Sequence, residues 1–132
     1  QDIIEAIQKA ELNTSGEIRV HLERGPNLEA FERAMEVFHF LKMDNTKQQN
    51  GVLIYVAIDT KTFVIYGDSG INNVVPDNFW DSTKDLIQSH FKAKRFKDGL
   101  IEGILKAGEQ LETHFPWFHG DSNELSNEIS KG

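Results

Sequence analysis

Oxygen-bearing side chains occupy the polar loops of this 132-residue sequence, and oxygen is the ligand that hard cations prefer. Asp44 and Asn50 bracket one polar loop, and Asp68 and Asp77 bracket another that is rich in glycine and asparagine. Ca²⁺ takes about six to eight oxygen ligands and accepts backbone carbonyls. Because the chain has no cysteine, these loops fit Ca²⁺ better than Zn²⁺, and Mg²⁺ stays open as an alternative. The sequence therefore predicts a divalent-cation site with candidate ligands Asp44, Asn50, Asp68 and Asp77.

The same four residues also have a purely structural interpretation. Asp44, Asn50 and Asp68 are turn formers. Asp77 directly precedes a helical pattern, where an aspartate is expected to act as the N-cap. Most loops of this composition bind no ligand, so both interpretations stay open at the level of sequence.

Other catalytic chemistries lack their motifs. The five histidines have no spacing typical of a metal motif such as HExxH, and no serine lies in a GxSxG motif. Residues 67–70 (GDSG) are too short for a phosphate-binding loop and lack its GKS/T ending. The absence of cysteine excludes disulfides, iron–sulfur clusters and a cysteine nucleophile.

Composition indicates an ordinary globular domain with an acidic surface. Apolar residues make up 39% of the chain and charged residues 27%, and 14 Lys+Arg against 21 Asp+Glu give a net charge of −7. A net-negative surface repels phosphate backbones, which predicts no nucleic-acid partner. The longest apolar run, residues 52–58, is far shorter than the ~20 residues of a membrane helix. A cytoplasmic location is expected, and a leader or anchor upstream of Gln1 stays open.

Hydrophobic periodicity predicts the elements that must position the loops. Strand patterns cover residues 17–23, 51–58 and 62–66. Helical patterns cover residues 2–12, 28–43, a stretch after Asp77, and 96–115. Pro116 ends the last helix, so that a domain of residues 1–115 is followed by a polar tail of residues 116–132.

The order of these elements predicts an α/β fold. A strand–helix–strand unit implies a parallel pair with a right-handed crossover, and the following hairpin adds an antiparallel third strand. Residues 52–58 have no polar side, so helices must cover both faces of the sheet. In this topology the first two strands begin, and the third ends, at the same edge. The loops that contain Asn50 and Asp68 are therefore expected to meet.

Several stretches of the sequence resemble the TPM domain family. They are TSGEIRV (14–20), NGVLIYVA (50–57) and FVIYGDSGI (63–71), followed by Asp77, Phe91 and Gly99-Leu100. The resemblance extends over residues 1–115. It implies a three-layer αβα sandwich around a short mixed β-sheet, with Ca²⁺ held by loops at one sheet edge. Asp68 and Asp77 match the family pattern, and Asn50 precedes the second strand as in the family, whereas Asp44 is added from the predicted topology.

Three functions follow as hypotheses. The leading one is a calcium-binding, non-enzymatic domain whose ion orders the loops at one sheet edge. The second is a weak metal-assisted acid phosphatase, an activity that the resemblance implies from some plant thylakoid relatives, with Asp68 or Asp77 as nucleophile or ligand. The third is a protein-interaction module that uses Trp117-Phe118 or the loop of residues 72–76. The sequence identifies no protein partner.

Overall fold

The chain folds around a short mixed sheet with helices on both sides. The structure is a computed structural model that describes residues 2–25, 29–117 and 130–131. A one-turn 3₁₀ helix (Glu11–Asn13) directly follows the first helix. The helices are α1 (Asp2–Ala10), α2 (Ala30–Phe40), α3 (Ser69–Asn72), α4 (Asp81–Lys92) and α5 (Phe96–His114). The strands are β1 (Glu17–Glu23), β2 (Gly51–Ala57), β3 (Thr62–Gly67) and β4 (Ser130–Lys131).

The sheet has the strand order β3-β2-β1-β4. β1 and β2 are parallel, with Glu17 opposite Gly51, and β3 is antiparallel to β2, with Gly67 opposite Val52. This confirms the predicted parallel pair and antiparallel hairpin strand. β4 pairs in parallel with β1 and was not predicted, because Ser130 and Lys131 fall within the expected polar tail. Residues 118–129 of that predicted tail lie outside the described residues, and the division at residue 115 stays a prediction.

Both faces of the sheet are covered, as the apolar sequence of β2 requires. Every residue of β2 is buried. Ile18, Val20, Val52 and Ile54 pack on one face against α1, α4 and α5, and Leu53 on the other face packs against α2. The α/β class and its layered arrangement are therefore confirmed. Over the described residues, no helix combines the length and the apolar character that crossing a bilayer requires.

A buried carboxylate fixes α2 to the sheet at the end opposite the predicted cation site. Glu23, on the last position of β1, accepts hydrogen bonds from Arg33 Nε and Nη2 at 2.8 and 2.9 Å. The Tyr55 hydroxyl donates to Glu23 as well, and His21 Nε2 lies 3.1 Å from its Oε1. The hydrogen bonds from Arg33, followed by those from Tyr55 and His21, lower the pKa of Glu23 from 4.5 to about 2.

Replacing Glu23 with glutamine should lower the free energy of unfolding and make it depend less on pH in the acid range. A carboxylate with a depressed folded-state pKa stabilises the fold above its unfolded pKa, and that contribution is lost as the pH falls from about 4.5 towards 2. The shift corresponds to a contribution on the order of 3 kcal/mol at neutral pH. Urea unfolding of Glu23→Gln between pH 2 and 7 measures both effects.

The matched control is Glu36→Gln, which removes the exposed partner of the same arginine. It should change the free energy of unfolding by less than about 0.5 kcal/mol. Equal effects of the two substitutions would contradict the role assigned to burial at Glu23.

Candidate metal-binding rim

Three separate segments of the chain meet where β1 and β2 begin and β3 ends; this edge of the sheet is called the rim here. The Glu17 N–H donates to the Asn50 carbonyl at 3.3 Å, which joins the start of β1 to the residue before β2. The Asp68 N–H donates to the Gly51 carbonyl at 3.0 Å, which joins the residue after β3 to the start of β2. Main-chain hydrogen bonds therefore hold the loops of Asn50 and Asp68 side by side.

Asn50 is buried at the centre of the rim, with 1% of its surface exposed. Its Nδ2 donates to Ser15 Oγ at 3.2 Å, across to the segment that precedes β1. The side chain of Asn50 thus links the loops before β1 and β2, in addition to the link through its carbonyl.

Asp68 presents one carboxylate oxygen that is satisfied and one that is not. Oδ1 accepts a hydrogen bond from the Ser69 N–H at 2.7 Å, so that Asp68 caps the single-turn helix α3. Oδ2 is buried, and within the described residues it has no hydrogen-bond partner. A buried carboxylate oxygen without a partner is costly, because nothing replaces the water that it has lost.

A close backbone contact fixes α3 against the loop before β2. The Gly70 N–H donates to the Gln49 carbonyl at 2.9 Å, and the Ser69 hydroxyl donates to Gln49 Oε1 at 2.7 Å. A Cβ atom at Gly70 would overlap the carbonyl oxygens of Gln48 and Gln49, so only glycine fits there. Gln49 itself has a φ of 51°, in the left-handed region that a side chain disfavours.

Asp44 lies on the α2 side of the rim. It is exposed, and its Oδ2 lies 3.1 Å from His39 Nδ1. Burial is the main cause of the raised pKa of Tyr66, and the negative charges of Asp68 and Asp44 raise it further. Both carboxylates therefore act on the same phenol, which places Asp44 and Asp68 near the end of β3.

Asp77 does not have the predicted local role. α4 begins only at Asp81, with Trp80 in the position before its first residue and no capping side chain. Asp77 lies instead in an exposed turn, where the Phe79 N–H donates to the Pro76 carbonyl. The prediction that Asp77 is an N-cap is therefore wrong, because this extra turn separates Pro76 from the helix. Among the described residues, no hydrogen bond or ion pair joins Asp77 to Asp44, Asn50 or Asp68.

Two buried polar groups near these loops were missed from sequence. The Thr46 hydroxyl, in the loop before β2, is buried and has no partner among the described residues. Trp80 Nε1 is likewise unpartnered there, and it lies 3.5 Å from where a Cβ on Gly67 would be. The hydroxyl can ligate a cation, whereas the indole N–H is only a donor and cannot. Nothing in the residue type of Thr46 distinguishes it from its polar neighbours.

The rim offers scattered oxygen atoms that could ligate a cation, not a preformed cluster of acidic side chains. Over the described residues, no group of three or more His, Cys, Asp or Glu side chains is arranged to hold a metal ion. The residues that the structure brings together are Asn50 and Asp68, with Asp44 near the same strand end. Any cation here would need backbone, amide or hydroxyl oxygens and water in addition to carboxylate.

The TPM domain model matches residues 1–110, and this chain belongs to that family. It is similar to the BA42 protein from the psychrophilic bacterium Bizionia argentinensis, whose structure was determined by NMR. The identity is 63% and the TM-score 0.94, over 98% of this chain and 90% of the other. The N-terminal domain of a protein from P. gingivalis, also solved by NMR, has 18% identity and a TM-score of 0.69. That match covers 87% of this chain and 76% of the other, and shows the fold alone. No curated protein matches the sequence.

Gly70→Ala should destabilise the protein by about 2 kcal/mol, because the added methyl group must push α3 away from the loop before β2. Thermal or urea unfolding measures this loss, and amide shifts of residues 48–50 and 68–70 should show where the structure moves. Ser69→Ala is the matched control, since it removes only an exposed side-chain hydrogen bond. A Gly70→Ala protein as stable as the control would mean that the two segments are not in close contact.

Proposed function

We propose that the rim binds Ca²⁺, with Asp68 as the central ligand, and that the ion orders the loops before β2 and after β3. The observation that carries this proposal is Asp68 Oδ2, a buried carboxylate oxygen with no partner among the described residues. A cation beside it would compensate for the lost hydration of the charge. The site is non-enzymatic in this proposal, and the ion is a structural ligand.

Charge around the rim supports a cation. Asp68 forms no salt bridge within the described residues, and Asp44 adds a second negative charge near the same strand end. The net charge of −7 favours the approach of cations over anions. A cation bound at the rim would attract both carboxylates, and this attraction weakens when either one is neutralised.

The oxygens available favour Ca²⁺, with Mg²⁺ as the alternative. Candidate ligands beside Asp68 are Asp44, the Asn50 amide, Asp77 after a movement of its exposed turn, and the Thr46 hydroxyl. Ca²⁺ accepts such mixed and irregular sets, whereas Mg²⁺ demands near-octahedral geometry and keeps several waters. Since few ligands are charged, we expect weak binding, with a dissociation constant of about 10⁻⁴–10⁻³ M.

The phosphatase and protein-interaction hypotheses stay predictions from the sequence. A phosphate group at the rim would meet the negative charges of Asp68 and Asp44. Among the described residues Asp68 forms no ion pair, and Asp44 pairs with His39. Trp117 and Val74 are exposed, as the interaction hypothesis expects. Phe118 lies outside the described residues. Neither observation identifies a substrate or a partner.

The test is a Ca²⁺ titration of the whole chain after EDTA treatment. Free Ca²⁺ at ten times its dissociation constant should stabilise the fold by about 1.4 kcal/mol. For a chain of this size, this raises the melting temperature by about 5 °C. Amide shifts should gather at residues 44–50 and 68–70, and Mg²⁺ at the same ionic strength should give smaller changes.

Asp68→Asn should abolish the stabilisation by Ca²⁺, because the amide keeps the shape of the carboxylate without its charge. The matched control is Asp59→Asn, which removes one charge at the opposite end of the sheet, where Asp59 pairs loosely with Arg24. This variant should respond to Ca²⁺ like the wild type. An unchanged melting temperature in the wild type, or equal responses of both variants, would reject the proposed site.

A further inference from the structure

β3 is an edge strand whose outer side is open. The sheet order places β2 on one side of β3 and no described strand on the other. Asp68 N–H bonds the Gly51 carbonyl of β2, and hydrogen-bonded pairs alternate along an antiparallel ladder. Residues 62, 64 and 66 therefore bond β2, whereas Phe63 and Ile65 direct their N–H and C=O groups outward. Among the described residues, these four outward groups have no hydrogen-bond partner.

A groove of about 590 Å³ runs along this open side of β3. It lies between the start of α2 and the middle of α4, and residues of β3 line it between them. Its lining residues are Phe31, Lys61, Thr62, Phe63, Val64, Ile65, Lys84, Asp85 and Gln88. Main-chain donors and acceptors left unpaired along the edge of a sheet are the features to which an extended peptide adds as a new strand.

The two walls of the groove differ in chemistry. The wall on the α2 side is apolar: Phe31 is 49% exposed, and it packs beside Tyr66 with ring centroids 5.6 Å apart. The wall on the α4 side is polar and carries Lys84 with Asp85. Lys61 also lines the groove; its Nζ lies 5.2 Å from the centre of the Phe96 ring and donates a hydrogen bond to the Ile58 carbonyl at 2.9 Å. The lining of the groove therefore carries two lysines and one aspartate and is positive overall, whereas the net charge of the whole chain is negative.

We propose that this groove, the β3 groove, binds an extended segment of a protein partner that adds as a strand beside β3 and alternates apolar with acidic side chains. Successive side chains of a strand point to opposite faces. Apolar residues of the partner would thus meet the Phe31 wall, and acidic residues would meet Lys84 and Lys61. The proposal is independent of the cation site, because none of the lining residues is a candidate ligand.

A second copy of this chain fits the groove less well. Its own β3 contains no acidic residue, and a β3–β3 pairing would bring a second pair of the same lysines to one groove. Lysine at a sheet edge is a known device against such self-pairing. Charge complementarity therefore favours a different, acidic partner segment.

The test is an NMR titration with the capped heptapeptide Val-Glu-Val-Glu-Val-Glu-Val, performed in EDTA so that the outcome does not depend on Ca²⁺. The amides of Phe63 and Ile65 should shift and become protected from hydrogen exchange. A peptide with lysine in place of each glutamate should bind at least about tenfold more weakly, and added salt should weaken the acidic peptide. Lys84→Glu should reduce its affinity about threefold.

Lys92→Glu is the matched control, because it reverses the same charge on an exposed position of α4 outside the groove. This variant should bind the acidic peptide with the same affinity as the wild type. Three outcomes would overturn the proposal. They are shifts that gather away from β3, equal binding of the acidic and basic peptides, and concentration-dependent protection of Phe63 and Ile65 in the free protein, which would identify a second copy as the occupant.

Discussion

The architecture depends on β2, a strand that has no polar face to expose to solvent. All seven residues of β2 are buried, so helices have to cover both of its faces. Residues 30–40 supply one cover and at the same time form the crossover from β1 to β2. That crossover makes the two strands parallel, and the tight hairpin makes β3 antiparallel. The meeting of three loops at one edge is therefore a geometric result of how β2 is buried.

The parts predicted from sequence are those that local pattern determines. The apolar run of β2 and the alternation in β1 predicted the sheet, and the turn residues predicted its connections. The close contact of Gly70 with Gln49 was not predictable, because it joins the loops on either side of the β2–β3 hairpin and leaves no periodic pattern in the sequence. The turn after Pro76 also escaped prediction, because Asp77 is equally suitable as a turn residue and as a cap.

The two ends of β1 and β2 balance charge in different ways. Glu23 is buried among Arg33, Tyr55 and His21, so its charge is compensated by the chain itself. Asp68 has a buried oxygen without such compensation among the described residues. Four donor atoms stabilise the charge of Glu23, and among the described residues no donor faces Asp68 Oδ2. This difference distinguishes the rim chemically from the opposite end of the sheet.

The main chain contributes most of the connections at the rim, and this affects how the domain can evolve. The hydrogen bonds from Glu17 to Asn50, from Asp68 to Gly51 and from Gly70 to Gln49 each join a main-chain N–H to a main-chain carbonyl. Point mutations can exchange the surrounding side chains while these atoms keep their positions. Divergence between lineages should then exchange the polar groups that surround the rim long before it changes the course of the main chain there, so that distant homologues inherit the shape of this edge without its chemistry.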